Sequence, residues 1–372
     1  MLTLASKSKK QTLGNRLLSA ITTLKLHQRN ESVFAELALE LFEKQYTENP
    51  TYRALCDQKR FSPEVVTTWS EIPAVTTSAF KFSRLACFPR SDDEVFFQTS
   101  GTTQQISGRH YFRTFDFYRT SALRSFKAFC LPERDKIRML ILGPSADAFP
   151  HSSLGFMFSE VRKAFGTIKS GVYFSPDGLK TETLINDLQA AIEDDEPVFV
   201  LGTSLAQLEF TNIARNRGVS FDLPKGSRLL DTGGYKGRDI EISRGEFLNR
   251  LSECFNLSLS SIINEYGMTE LSSQFYEGRL PAAPLADERT SIKFAPPWTR
   301  VVAVDPATLE ILPDGETGML RIFDLANIDS VIAIQTEDLG RAWPDRMELL
   351  RRATGAELRG CSLLTESILR MD

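Results

Sequence analysis

The sequence is poor in the residues that mark metal centres and cross-linked secreted proteins. It has three histidines and five cysteines, Cys56, Cys87, Cys130, Cys254 and Cys361, which are widely spaced and odd in number. No Cys-x-x-Cys pair or His/Cys cluster occurs, so neither a disulfide framework nor a zinc site is expected. Free thiols fit a reducing cytosol, and a cytoplasmic location is the expectation. A basic excess is missing too. The formal net charge of −4 provides no field to gather nucleic acid. No apolar run approaches the ~20 residues a membrane span needs. Near the N-terminus, Thr22, Thr23, Lys25 and His27 interrupt the apolar run that Leu17, Leu18 and Ile21 begin, and no small-residue cleavage site follows. Residues 1–30 therefore read as a polar arm and not as a signal peptide.

What is present is ordinary globular material: 372 residues, 42% hydrophobic and 25% charged, enough for two or three domains. Ser32 to Tyr46 has the apolar spacing of an amphipathic helix. The segment Trp69–Lys81 contains Pro73 and should be extended or looped. Val95–Gln98 reads as a strand, Phe115–Cys130 as a helix, and Arg138–Leu142 as a buried strand ended by Gly143-Pro144. Helix and strand signals then alternate. Thr181–Ile192 is helical with Thr181 as N-cap, Pro197–Gly202 a strand, and Leu205–Arg217 a helix. Arg228–Asp231 is a strand, Ser243–Phe255 a helix, and Ile262–Glu265 a strand. Such alternation predicts an α/β fold with a doubly wound, mostly parallel sheet. From Pro296 the pattern changes to strands at Arg300–Asp305, Gly318–Phe323 and Val331–Gln335, with a turn at Pro313–Gly318. This predicts a small antiparallel β subdomain over 296–340.

Four motifs stand in a fixed order on this scaffold. Thr99-Ser100-Gly101-Thr102-Thr103 follows a strand; hydroxyls around a glycine can wrap phosphate oxygens, although the Gly-Lys-Ser/Thr ending of a Walker loop is missing. Asp231-Thr232-Gly233-Gly234 ends a strand on a glycine pair that lets a flat ring approach the backbone. Tyr266-Gly267-Met268-Thr269-Glu270 follows the next strand, at the sheet edge where open α/β sheets bind ligands. Thr336-Glu337-Asp338-Leu339-Gly340 closes the β region. Alone, each is an ordinary turn.

Together the four resemble the adenylate-forming, acyl-activating enzymes. The segment Ile72–Lys81 and the closing Gly360-Cys361-Ser362-Leu363-Leu364-Thr365-Glu366 resemble the acyl-protein synthetase branch. The resemblance implies ATP and Mg²⁺ as cofactors. It implies that Thr99, Ser100, Gly101, Thr102, Thr103 and Thr269 hold phosphates, that Gly233, Gly234 and Tyr266 lie on the adenine side, that Gly267 also belongs to the nucleotide site, and that Asp338 and Arg352 face the ribose. Glu270 would be the Mg²⁺ ligand, and Cys361 the thiol that accepts the acyl group. The phosphate loop departs from the family pattern at Gln104, Ile106 and Ser107, and Arg109 is expected to replace the missing lysine charge. His151 is a candidate lining residue of the acid pocket.

The resemblance further implies an acyl-adenylating core over 31–295 and a mobile C-terminal domain reduced to a tail, 341–372. The expected function is ATP-dependent activation of a long-chain fatty acid and its transfer to a protein cysteine for a partner acyl reductase. Two alternatives stand beside it. One is a ligase that passes the acyl or aryl group to coenzyme A or a carrier protein. The other is a non-catalytic ATP-binding partner subunit.

Overall fold

A computed structural model of the chain describes residues 12–26, 28–90, 95–99, 106–233, 242–277 and 292–353. Helices α1 (Leu13–Thr23), α2 (Glu31–Glu48) and α3 (Pro50–Gln58) lead into β1 (Val75–Thr76) and the single turn α4 (Ala79–Phe82). The hairpin β2 (Val95–Gln98) and β3 (Arg109–Phe112) follows, then α5 (Asp116–Cys130), β4 (Arg138–Leu142), α6 (Ser153–Phe165) and β5 (Gly171–Val172). A tiny hairpin, β6 (Phe174–Ser175) and β7 (Gly178–Leu179), precedes α7 (Thr181–Glu193), β8 (Val198–Thr203), α8 (Ser204–Asn216), β9 (Arg228–Thr232), α9 (Arg244–Phe255) and β10 (Ile262–Tyr266). The remaining strands are β11 (Phe275–Tyr276), β12 (Ile292–Phe294), β13 (Thr299–Val304), β14 (Thr317–Asp324), β15 (Ala333–Trp343) and β16 (Arg346–Arg352).

One sheet runs through the molecule in the order β13-β14-β15-β16-β12-β11-β10-β9-β8-β4-β5, with β1 added in parallel on β15. Strands β10, β9, β8, β4 and β5 are parallel neighbours. Strand β4 is buried at every position, as expected of a parallel strand covered on both faces. One face packs Leu140, Val200 and Leu229 against α7, α8 and α9. The other packs Met139, Phe199 and Leu230 against α5 and α6. This is the doubly wound half. Several helix starts are legible in their caps: Ser243 Oγ accepts from Glu246 N at the head of α9, and Ser152 Oγ from Gly155 N at α6. Thr181 is the first residue of α7 and not its cap. Lys180 holds the cap position and makes no side-chain cap bond.

Three expectations change. Residues 13–23 are not a free polar arm. They form α1, whose Leu17, Ala20 and Ile21 are buried in the core that α2, α3 and the antiparallel strands share. Arg16 also reaches Glu36 and Glu40 on α2. The strands after 296 do not make a separate subdomain, because β12 joins β16 to β11 and the sheet is continuous. Nor does the chain break at 340: β15 passes straight through it, paired on both sides by β14 and β16. Among the described residues, no helix is long and apolar enough to cross a membrane.

Candidate active site

Parallel pairing aligns the carboxyl ends of β9 and β10. Thr232 is the register partner of Glu265, so the next residues outward are Gly233 and Tyr266. Gly233 has φ +76°, a conformation open to glycine at no steric cost. On β10, Asn264 donates to the carboxylate of Asp231 at 2.8 Å. Asp231 is fully buried and held by both guanidinium nitrogens of Arg244, at 2.6 and 2.9 Å. The aspartate of the Asp231–Gly234 motif is therefore structural: it locks β9 to β10 and to the head of α9.

Tyr266 turns toward the antiparallel half. Its hydroxyl donates to Asp338 Oδ2 at 2.8 Å, and Arg352 Nε donates to Asp338 Oδ1 at 3.3 Å. Asp338 and Arg352 are register partners on β15 and β16. The sheet thus brings three of the expected residues into contact from positions far apart in the chain. Burial, with the Asp338 carboxylate second, pushes the Tyr266 phenol well up. Glu270 adds to the same effect. Glu270 itself is only 6% exposed.

The turn carrying Thr269 and Glu270 is gripped from beneath by groups that sequence reasoning missed. His110 Nδ1 lies 2.9 Å from Thr269 O. Asn327 Nδ2 donates to Glu270 O at 2.9 Å. Asp324 accepts from Ser272 N and from Ser273 Oγ at 3.0 and 2.7 Å. Asp324, Asn327, Asp329 and Ser330 are polar residues interspersed with Leu325, Ala326 and Ile328 between the mostly apolar Met319–Phe323 and the apolar Val331–Ile334. That polar interruption of buried strands was the available signal, because buried polar side chains persist where they are hydrogen-bonded.

The phosphate-type loop is the connection of the β2–β3 hairpin. Its stem closes through Thr99 N to Gly108 O and Gly108 N to Thr99 Oγ1, both at 2.9 Å. Ser100, Gly101, Thr102 and Thr103 lie outside the described residues, as do Gly234 and Cys361. Arg109 stands at the hairpin base with its guanidinium 5.0 Å from the centroid of the Phe96 ring. His151 stacks on that ring at 4.1 Å. The Ile72–Lys81 segment also finds a reason: β1 pairs with β15 three residues ahead of Asp338, and a Cβ on Gly108 would press on the backbone of Phe80 at 3.3 Å. The segment wedges the hairpin against the strand that carries Asp338.

Comparisons with known proteins give a family and a fold. A family model described as "Acyl-protein synthetase, LuxE" matches residues 10–369. The long-chain-fatty-acid–luciferin-component ligase of Vibrio harveyi is 22% identical over 349 residues, 90% of this chain and 88% of the relative. The protein of the same name from Aliivibrio fischeri is 22% identical over 357 residues, covering 92% and 90%. Among solved structures, an open conformation of 2-hydroxyisobutyryl-CoA ligase in complex with 2-HIB-AMP and CoA superposes with a TM-score of 0.62 at 13% identity. The match covers 86% of this chain and 70% of that one. At that identity the likeness speaks for the fold, which is that of adenylate-forming enzymes. The chain belongs to the LuxE family of acyl-protein synthetases and is a ligase of that family.

Proposed function

We propose that the protein uses ATP to activate a long-chain fatty acid as its acyl-adenylate. It then carries the acyl group as a thioester on Cys361, for delivery to a partner acyl reductase or another acyl-accepting protein. The observation that carries the first half is the meeting of Tyr266, Asp338 and Arg352 beside the ends of the parallel strands. The adenine stacks on Tyr266 over the backbone of Gly233 and Gly234. A carboxylate has about four lone-pair sites, so Asp338, with two accepted bonds, keeps capacity for the ribose hydroxyls. The Thr99–Thr103 loop and Thr269 donate to the phosphates. The bound acyl-adenylate described for the similar ligase supports the chemistry, and the names of the two Vibrio-type relatives support a fatty acid.

An oxygen of the fatty-acid carboxylate attacks the α-phosphorus, the bond to the β-phosphate oxygen breaks, and pyrophosphate leaves with the electron pair. Catalysis here is positioning and charge neutralisation. Glu270 is the residue that would hold Mg²⁺, which when bound offsets phosphate charge. Among the described residues no group of three His, Cys, Asp or Glu side chains could cage a metal. A single carboxylate fits an ion that takes its other ligands from phosphates and water.

In the second half a cysteine thiolate attacks the acyl carbonyl and AMP departs. All four cysteines among the described residues are buried. Burial pushes Cys56, Cys87 and Cys254 up to about 12 and raises Cys130 as well. Such thiols are inert, which supports Cys361 as the carrier.

The test is intact-protein mass after incubation with ATP, Mg²⁺ and a mixture of fatty acids, with Cys361→Ala alongside. The expected result is an acyl adduct that hydroxylamine removes and the variant lacks. Pyrophosphate exchange without an adduct would move the acceptor to coenzyme A or a carrier. Neither signal, with other carboxylic acids also tried, would leave an ATP-binding partner without turnover.

A further inference from the structure

His110 sits on β3, two residues past the stem glycine of the phosphate-type hairpin, and is 1% exposed. Its ring is enclosed by Phe80 at 5.6 Å and Phe112 at 4.1 Å between centroids. Both ring nitrogens are used: Nδ1 lies 2.9 Å from Thr269 O, and Nε2 lies 2.8 Å from Ser330 Oγ. A carbonyl oxygen only accepts, so Nδ1 must carry the proton. Burial holds the imidazole down to about 4, so the ring is neutral at working pH and Nε2 accepts from the Ser330 hydroxyl. Ser330 is itself fixed, since its carbonyl accepts from Asn49 Nδ2 at 3.3 Å and from the Cys87 thiol at 3.5 Å. The imidazole therefore spans three pieces of chain: the hairpin that bears the phosphate-type loop, the Tyr266–Glu270 turn and the loop before β15.

We propose that His110 is a positioning residue for the adenylation reaction, holding the Thr269 carbonyl so that Thr269 and Glu270 present a fixed geometry to the phosphates. This rests on the adenylating role argued above. His110 makes the bond through Nδ1, and the Ser330 contact serves to hold the ring in that tautomer and rotation. Chemistry that depends on placement is sensitive to small displacements, with about 100-fold lost for a shift near 1 Å.

Two nearly isosteric variants separate this role from mere packing. Asparagine places its amide nitrogen where Nδ1 stands and keeps the bond to Thr269. Glutamine places its amide where Nε2 stands and keeps only the bond to Ser330. In fatty-acid-dependent ATP–pyrophosphate exchange, His110→Asn should keep kcat within about threefold of the wild type. His110→Gln and His110→Phe should lose about 10- to 100-fold in kcat, with the KM for the fatty acid little changed. Equal losses in the Asn and Gln variants, tracking their thermal stability, would overturn the proposal.

The wild type provides a second readout that no variant needs to fold for. Imidazole ¹⁵N shifts should show a protonated Nδ1 and a bare Nε2 between about pH 5.5 and 8.5, and the opposite tautomer would overturn it. A wild type that exchanges with no carboxylic acid would instead remove the adenylating reading itself, and this role with it.

Discussion

Glu265, one residue before Tyr266, explains a glycine and sets a pH dependence. Its carboxyl is 4% exposed and accepts a hydrogen bond from Thr232 Oγ1 on the neighbouring strand. Its Oε1 occupies the space that a Cβ on Gly267 would need, 2.5 Å away, so the glycine of the central motif makes room for this carboxyl. Burial pushes Glu265 up to about 7, against the pull of Thr232 and Lys293. The unfolded chain titrates near the ordinary value of about 4.3. Between these values the folded state binds the extra proton, so stability falls as pH rises from about 4.5 to about 7 and is flat above. At 1.36 kcal/mol per pH unit the total is on the order of 3 kcal/mol. Glu265→Gln should therefore match the wild type in urea midpoint near pH 4 and exceed it at pH 8. Asp324, also pushed up by burial to about 6, affects both proteins alike and cancels in the difference. Parallel curves across that range would show that Glu265 is not held protonated.

At the scale of elements, the pairing of β15 with β16 decides whether Asp338 and Arg352 meet. The register shifts by a bulge between Leu339 and Gly340, and the β16 backbone passes so close that a Cβ on Gly340 would collide with the carbonyl of Glu348. The Glu348 carbonyl on one side and the buried Leu320 side chain on the other leave little room to relax. Gly340→Ala should cost about 1–3 kcal/mol of stability and raise the KM for ATP several-fold, because β16 must lift away from Asp338. A variant with wild-type melting and wild-type KM would contradict this account.

Elements differ in how legible they were. The helices α5, α8 and α9 repeat apolar residues at helical spacing, and their boundaries fall within a residue or two of expectation. The sequence pattern predicts β15 only as Val331–Gln335, because polar Thr336, Glu337 and Asp338 look like a turn. The structure continues it to Trp343, since β14 and β16 supply hydrogen bonds on both edges whatever the side chains are. Helix α1 was missed for the opposite reason. Its apolar stripe is short, and only contact with α2 and α5 makes burying it worthwhile, with Arg124 also donating to the carbonyls of Ile21 and Leu24.

At the scale of the molecule, the candidate nucleotide site lies where the parallel and antiparallel halves of one sheet adjoin, with Tyr266 from one and Asp338 from the other. Nucleotide should therefore stabilise both halves together. In calorimetry, MgATP at 100 times its dissociation constant should stabilise the whole chain by about 2.7 kcal/mol, moving one cooperative transition. Asp338→Ala should abolish the shift. Two separable transitions, of which MgATP moves one, would argue that the halves fold independently.

From the sequence alone came the alternation of strands and helices, the order of the four motifs and the resemblance to acyl-protein synthetases, because periodicity, glycine punctuation and short local motifs are properties of neighbouring residues. Which motif side chains touch was decided only by tertiary structure. The Tyr266–Asp338 bond joins residues 72 apart, and the Ser330–His110 bond joins residues 220 apart. Their proximity depends on strand order and register, which local propensity does not encode. Buried groups such as His110, Glu265 and Asn327 took their roles from the same source: a polar side chain becomes informative only when the fold has removed its water and supplied one particular partner in its place.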